Sequence, residues 1–234
     1  MLPSVVSRDL VLSSAKSPYL VEDALVVLPG AKLTVQPGTV VWFRRMGIVV
    51  KGELNIMGTA DDPVRMAGMG VSGWKGILLD QSRAGNVLSY CTISNAEFGF
   101  KASGSNVKFD HCLLQDNKWG IVLEETTAEI HESLIRTSEK TGISARKSQL
   151  LVKGSTVSEN GFGGFLLENS PARIEQNNIS NNGNWAIKVV DGKDPVRAAH
   201  NWWGNENFKP DKMIIGPVEI QPVLKKPVAL QMLE

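Results

Sequence analysis

Two glutamates and an arginine recur at equal spacing along the chain, and they are its best candidates for acid–base chemistry. Glu124, Arg146 and Glu168 are separated by 22 residues each. Two carboxylates with a guanidinium between them could hold a sugar ring and act on it as acid and base. The same charges could instead form a ladder of surface ion pairs. Either interpretation requires a fold that stacks positions 22 residues apart.

Aromatic residues suggest a second kind of site. Phe98, Trp119 and Trp185 share a position that recurs every 21 or 22 residues, and Thr141 and Gly163 occupy it in between. An exposed aromatic ring offers an apolar face on which a sugar could stack, whereas a buried one would pack the corner against the neighbouring turn. The sequence therefore offers Phe98, Trp119 and Trp185 as candidate carbohydrate-binding residues.

A repeat of about 22 residues organises the chain from about residue 88 onwards. Four apolar columns share its register. One of them consists of Ile93, Leu114, Ile135, Val157, Ile179 and Trp203. Apolar and polar residues alternate within each repeat, which is typical of strands, and Asn, Asp and Gly separate the strands. The pattern predicts an all-β fold, a right-handed parallel β-helix of about eight coils with about 22 residues per coil.

This interpretation divides the chain into three parts. Residues 1–21 are the predicted N-terminal cap, 22–204 the β-helix, and 205–234 an apolar tail that packs on the rod or mediates assembly. A column of small or polar residues lies two positions before the Ile93 column, and we expect it to form an inward ladder of hydrogen bonds between turns. Its members are Cys91, Cys112, Ser133, Ser155, Asn177 and Asn201.

The cysteines and histidines are weaker candidates. Cys91 and Cys112 occupy equivalent positions one turn apart. That spacing fits two buried free thiols, or a disulfide if the protein is exported. His111, His131 and His200 fall at different positions of the repeat, so we expect no metal site built from them. We also expect no cofactor.

Composition limits the classes of partner. Lys and Arg total 25 against 24 for Asp and Glu, which leaves a formal charge of +1, so we expect no nucleic-acid partner. No apolar run reaches the roughly 18 residues that cross a bilayer, and we expect a chain that does not span a membrane. Residues 1–20 include charged residues and Pro3 where a signal peptide is apolar, so any leader would be absent from this sequence.

Five segments carry a family resemblance. They are SPYLV at 17–21, LTVQPGT at 33–39, GTADDPV at 58–64, GWKGI at 73–77 and HNWWG at 200–204. With them the chain resembles the secreted bacterial right-handed β-helix proteins of the pectate-lyase-like superfamily. The resemblance implies an extracytoplasmic location, in the periplasm, on the cell surface or secreted. It does not choose an activity, because that superfamily includes lyases, hydrolases, epimerases, adhesins and inert stalks.

The catalytic signatures of such enzymes do not match this sequence. Residues 194–197 read DPVR, where the alginate-epimerase motif would read Asp-Pro-His-Asp, and Asp61 and Asp62 fall in a turn common to noncatalytic members. We therefore expect a noncatalytic binding or scaffolding module that recognises cell-surface polysaccharide or a surface protein. Two alternatives stay open. One is a lyase, hydrolase or epimerase of uronate-type glycans that uses Glu124, Arg146 and Glu168; the other is a structural segment of a larger surface assembly or oligomer, joined through the tail.

Overall fold

The chain winds into a right-handed parallel β-helix. The computed structural model describes residues 2–70, 73–83, 85–205 and 209–229. It contains about nine turns of about 22 residues, against the eight expected, and each complete turn adds one strand to each of three parallel sheets, called A, B and C. Helical structure within these residues is limited to a 3₁₀ turn at Ser14–Lys16 and a short α-helix at Pro210–Met213. No described helix is long and apolar enough to cross a membrane.

The three sheets run the length of the rod. Sheet A comprises Val5–Val6, Leu25–Val27, Ile48–Val50, Trp74–Asp80, Ala96–Ser103, Trp119–Glu124, Thr141–Arg146, Gly163–Glu168, Ile187–Val190 and Ile214–Ile215. Sheet B comprises Leu10–Leu12, Lys32–Val35, Glu53–Met57, Asn86–Ser89, Asn106–Asp110, Thr127–His131, Gln149–Lys153, Ala172–Glu175, Val196–Arg197 and Val218–Glu219. Sheet C comprises Tyr19–Val21, Val40–Phe43, Val64–Gly68, Cys91–Ser94, Leu113–Gln115, Leu134–Arg136, Thr156–Ser158 and Asn178–Ser180.

The predicted apolar columns form the core. Leu114 pairs with Ile135 and Ile135 with Val157 in successive turns of sheet C, and all three side chains are buried. Trp203 is also buried, at the end of that column. Because strand side chains alternate in direction, the residues on either side of each core position point to solvent. The core therefore fixes which residues each sheet displays on its outer face.

Small polar side chains line the corners of the C-terminal coils. At each corner a residue with positive φ, such as Glu132, precedes an inward-pointing side chain, such as Ser133. The predicted ladder is confirmed: the backbone amide of Ser133 donates to Ser155 Oγ at 3.1 Å, and that of Ser155 to Asn177 Oδ1 at 2.8 Å. These bonds satisfy buried backbone amides that the corner removes from the sheets.

Two further ladders were missed from the sequence. The ladder between sheets A and B contains Ser82, Ser105, Thr126, Ser148 and Ser170. The ladder between sheets C and A joins Ser138, Asn160 and Asn182, and Asn117 fills the equivalent position one turn earlier, where it accepts from the amide of Ala96. Their members lie 21 to 23 residues apart, close to the spacing in the first ladder, so this repetition was a sufficient signal in the sequence.

The solenoid extends beyond the predicted boundaries at both ends. Residues 1–21 were assigned to a cap, but Val5–Val6, Leu10–Leu12 and Tyr19–Val21 pair in register with the next coil, so they form a first coil. In the tail, Ile214–Ile215 joins sheet A and Val218–Glu219 joins sheet B. These strands are only two or three residues long, which is too short for alternation to be read from the sequence.

The rest of the described tail lies along sheet C. The amide of Leu224 donates to the carbonyl of Asn201 at 3.0 Å. Further on, the side chain of Asn178 bonds to both backbone groups of Val228, at 2.9 Å to its carbonyl and 2.8 Å from its amide. Residues 206–208 and 230–234 of the predicted tail lie outside the described residues. The described part of the tail packs on the rod.

Candidate functional site

A groove of about 680 Å³ lies on the outer face of sheet B in the C-terminal half of the rod. Its floor is a single outward column in which each residue pairs with the next one turn away. The column consists of Glu129, Leu151, Arg173, Arg197 and Glu219. Four steps of the solenoid separate its ends, or about 19 Å at the usual strand spacing. We call this feature the sheet-B groove.

A longer corner contributes to one side of the sheet-B groove. Seven positions separate Val190 from Arg197, whereas five separate the equivalent residues Glu168 and Arg173 one turn earlier. The two additional residues fall in the corner that brings Asp194 and Pro195 to the groove. The solenoid thus becomes concave where one corner is lengthened.

Charges in the sheet-B groove are partly paired with each other. The guanidinium of Arg173 lies 2.8 Å from the carboxylate of Glu175. The hydrogen bond between them raises the pKa of Arg173 and lowers the pKa of Glu175 below its ordinary value. Arg197 makes no ion pair within the part of the chain that the structure describes. The guanidinium of Arg173 is therefore held in place by Glu175, and the guanidinium of Arg197, one turn away, is available to a ligand.

This arrangement suits a ligand rich in hydroxyl and acidic groups. Arginine forks bind carboxylates or sulfates through paired hydrogen bonds, and Glu129, Gln149 and Glu219 can accept hydrogen bonds from hydroxyls. Leu151 supplies apolar surface between them. Sequence reasoning missed the site. Its spacing signal was present, because Glu129, Leu151 and Arg173 are 22 residues apart.

The predicted charged stack exists, but on a different sheet. Glu124, Arg146 and Glu168 pair in register on the outer face of sheet A, as their spacing predicts. Arg146 forms an ion pair with Glu124, and Glu168 is exposed in the next turn. None of the three belongs to the described lining of the sheet-B groove. Their geometry fits an exposed ion-pair ladder, and a catalytic role for them stays a prediction.

The predicted aromatic column is divided in two. Phe98 and Trp119 pair in register and are half-buried, and Lys101 Nζ lies 5.1 Å from the Phe98 ring centre. Trp185 is only 7% exposed. Its indole fills the space that Gly163 leaves one turn away. A sugar-binding role for Phe98 and Trp119 stays a prediction, while the structure leaves little of Trp185 for a ligand.

Trp42 is the exposed tryptophan that the sequence analysis passed over. It lies on the outer face of sheet C with 39% of its surface exposed, because its neighbours Val41 and Phe43 point into the core. Simple alternation along this strand was a sufficient signal. The regular repeats, which contain Phe98, Trp119 and Trp185, begin after this strand.

The cysteines and histidines show no metal geometry. Cys91 and Cys112 are free and buried, with their sulfur atoms 3.4 Å apart. The predicted separation of the histidines was partly wrong, because His111 and His200 occupy the same corner position, each with positive φ. They are four turns apart, about 19 Å, so they still do not converge. The described residues hold no cluster of three or more His, Cys, Asp or Glu suited to a metal ion.

Comparison with known families agrees with the β-helix fold. The model of the family described as "Right handed beta helix region" matches residues 64–203. The chain belongs to this family. Searches of curated proteins and of solved structures found no significant match. The β-helix match includes both predicted stacks and the sheet-B strands from Thr127 to Arg197, whereas the strand that carries Trp42 lies before it.

Proposed function

We propose that this β-helix is a noncatalytic, extracytoplasmic binding module whose sheet-B groove holds a polysaccharide chain. The observation that carries the proposal is the column Glu129, Leu151, Arg173, Arg197 and Glu219 on the floor of the groove. The resemblance to secreted β-helix proteins supports the location. The module acts by shape and by fixed hydrogen-bonding groups, without changing the ligand.

A solenoid suits a linear polymer for a physical reason. Parallel strands stack at about 4.8 Å, so one outward column displays a side chain at each step along a straight line. A polysaccharide repeats its own groups along a line in the same way, and several weak contacts can therefore act together. Arg197 favours a polymer that carries carboxylates or sulfates over a neutral one.

Calorimetry with defined oligosaccharides tests this proposal. The panel contains an oligogalacturonate, a sulfated oligosaccharide and a neutral glucan, titrated into the wild type, Arg197→Ala and a control, Arg8→Ala, which removes an exposed arginine at the other end of the rod. We expect an acidic oligosaccharide to bind, with at least a tenfold loss in Arg197→Ala and no loss in Arg8→Ala. The proposal would be overturned if Arg197→Ala and Arg8→Ala bound the acidic oligosaccharide equally well. It would also be overturned if the wild type bound none of the three oligosaccharides.

Catalysis on the same glycans is the second candidate, and one observation favours it. Carboxylates of Glu129, Asp194 and Glu219 line the sheet-B groove together with two arginines, which are the residue types that uronate chemistry needs. Product analysis separates the candidates. If the wild type released new reducing ends or unsaturated products, and Glu219→Ala or Glu124→Ala did not, the protein would be an enzyme. A polymer that is bound but left unchanged would support the noncatalytic proposal.

Assembly through the tail is the remaining alternative. The described tail is hydrogen-bonded to its own rod at Asn178 and Asn201, which supports a single chain over a tail-mediated oligomer. Light scattering should therefore give the mass of a monomer. A larger mass that falls to the monomer value on deletion of residues 220–234 would assign the tail to assembly instead.

A further inference from the structure

The N-terminal half of sheet C displays an exposed apolar surface. Leu20 and Trp42 pair in register on its outer face and are 37% and 39% exposed. Met69, on the next coil, is 49% exposed and donates its amide to the carbonyl of Phe43, beside Trp42. Exposed apolar clusters of this kind mark interaction sites more often than isolated surface residues do.

Arginines flank these side chains on two sides. Arg44 lies two positions beyond Trp42, just past the end of its strand, and Arg65 lies diagonally from Trp42, opposite Val40. The Arg44 guanidinium lies 3.8 Å from the carboxylate of Glu22, at the edge of an ion pair. Arg65 is exposed and makes no ion pair with any residue that the structure describes. The surface thus places two arginines beside an apolar centre, and Glu22 lies next to one of them.

The other half of the same sheet face shows what such a surface accepts. There the face binds an extended polypeptide, the protein's own tail, through the two hydrogen bonds between Asn178 and Val228. The tail carries Lys225 and Lys226, both exposed. A second copy of that tail would bring like charges to Arg44 and Arg65, so charge disfavours it as the occupant of the N-terminal half.

We propose that Leu20, Trp42, Met69, Arg44 and Arg65 form a docking surface for an extended, acidic segment of a different protein. Trp, Met and Arg are the residues in which interface centres are enriched, and Trp42 at the middle is the expected anchor. Carboxylates of the partner would pair with Arg65 and Arg44, while one or two apolar side chains contact Trp42. This surface is separate from the sheet-B groove, and the inference does not depend on the proposed function.

Selection from a random library tests the proposal without a known partner. A phage library of 12-residue peptides is selected on the wild type after depletion on Trp42→Ala, and enriched peptides are synthesised and measured by fluorescence anisotropy. We expect them to carry Asp or Glu beside Leu, Phe or Trp. Their affinity should fall at least tenfold in Trp42→Ala and should weaken as salt is added.

Matched variants sharpen the result. Arg65→Glu should weaken acidic peptides and improve the binding of copies in which Lys replaces Asp and Glu. Met57→Ala removes a side chain that is 52% exposed on sheet B and should change nothing. Thermal unfolding of each variant confirms that it is folded.

Three outcomes would overturn the docking proposal. They are the absence of any peptide enriched over the Trp42→Ala selection, enrichment of basic peptides, and equal weakening in Met57→Ala. A fourth outcome reassigns the surface: binding of oligogalacturonate that is lost in Trp42→Ala, without peptide binding, would make it a sugar site. Because Arg197→Ala tests the sheet-B groove separately, failure of one proposal leaves the other intact.

Discussion

The corners of the first coils and those of the later coils close the same turn by different means. At Gly52 and Gly58 the backbone lies so close to a neighbouring coil that a Cβ atom would overlap the carbonyl oxygens of Ala31 and Tyr90. At the equivalent corners from Ser82 and Cys91 onwards, an inward hydroxyl, thiol or amide fills the corner and bonds to the adjacent turn. At these two corners the early coils therefore depend on close backbone approach, and the later coils on side-chain hydrogen bonds.

The difference explains why only one half of the chain looks repetitive. Each side chain of a corner ladder bonds to its equivalent in the next turn. Every turn therefore needs a small polar residue at that position, and this keeps the repeat close to 22 residues. A glycine corner needs no partner of its own kind in the next turn and tolerates insertions such as the proline-glycine turns at 29–30 and 37–38. The constant repeat length in the later coils therefore indicates how their corners are closed as well as which fold the chain adopts.

The largest expected effect comes from adding one methyl group at a glycine corner. Gly52→Ala would drive a Cβ atom into the backbone of the preceding coil, where a flexible side chain cannot move aside. We expect a loss of more than about 4 kcal/mol of unfolding free energy, or failure to fold. Gly85→Ala is the control, because its Cβ would meet nothing within 4 Å and should change stability by less than about 0.5 kcal/mol. Urea unfolding measures both, and equal stability would contradict the backbone-approach account.

The second largest loss of stability should come from removing one side chain of a corner ladder. Asn160 accepts from the amide of Ser138 at 3.1 Å and donates to the carbonyl of Ile135 at 3.2 Å and to Asn182 Oδ1 at 3.0 Å. Asn160→Ala removes the bonds to the buried amide of Ser138 and the buried carbonyl of Ile135, and should cost on the order of 3 kcal/mol, whereas Asn182 Oδ1 keeps its bond from the backbone amide of residue 160. Asn184→Ala removes one exposed bond to Phe162 and serves as the control. Denaturant midpoints that fall equally in both variants would show that the ladder is not a stabilising network.

The buried thiols Cys91 and Cys112 should make the stability of the protein depend on pH. The hydrogen bond from Cys91 to Cys112, together with burial, raises the pKa of the Cys91 thiol well above its usual value. The unfolded thiol ionises near pH 8.5 while the folded one stays protonated, so the stability contribution is full below that pH and is lost as pH rises towards the folded pKa. The loss should approach about 1.4 kcal/mol per pH unit at most.

Cys91→Ser provides the comparison for that experiment. Unfolding in urea under reducing conditions at several pH values from 7.5 to 10 should show the wild type losing stability relative to the variant. Effects of lysine and tyrosine titration are common to both proteins and cancel in the difference. Parallel curves would mean that the thiol does not stay protonated in the folded state.

The smallest effect is expected on the outer surface. Arg146→Gln removes the ion pair with Glu124, which is largely in solvent, and should cost less than about 1 kcal/mol. Lys147→Gln, which removes the neighbouring pair with Glu125, should behave alike. Thermal unfolding checks the stability of both. If Arg146→Gln alone abolished processing of a uronate polymer while stability was unchanged, the catalytic interpretation of the stack would gain direct support.

The fold could be predicted from the sequence because its core columns are direct consequences of stacking. Leu114, Ile135 and Val157 recur at the length of one turn, and the solenoid brings them together in successive strands of sheet C. The first coil could not be predicted in the same way. Its strands are two or three residues long, and their pairing with the second coil is visible only once the chain is folded.

The candidate site was harder to predict, because exposure depends on neighbours that are distant in sequence. Trp185 and Trp119 share one column, yet Trp185 is buried because position 163, one turn before it, is glycine. The concavity of the sheet-B groove depends on the longer corner before Arg197, which brings Asp194 and Pro195 to the groove. The sequence shows the two additional residues but not the direction in which the corner projects. The exposure of Trp42 was predictable from alternation alone, because Val41 and Phe43 on either side of it are apolar residues that point into the core.

The tail of the protein also changes how the rod would respond to tension. Its contacts at Asn201 and Asn178 lie on successive coils, so residues 224–228 fasten the end of the solenoid to the turn before it. A pull on the C-terminal end must break both attachments before the last coil can peel away. The attachment at Val228 would break first and the one at Leu224 next, so the tail delays the unwinding of the last coil.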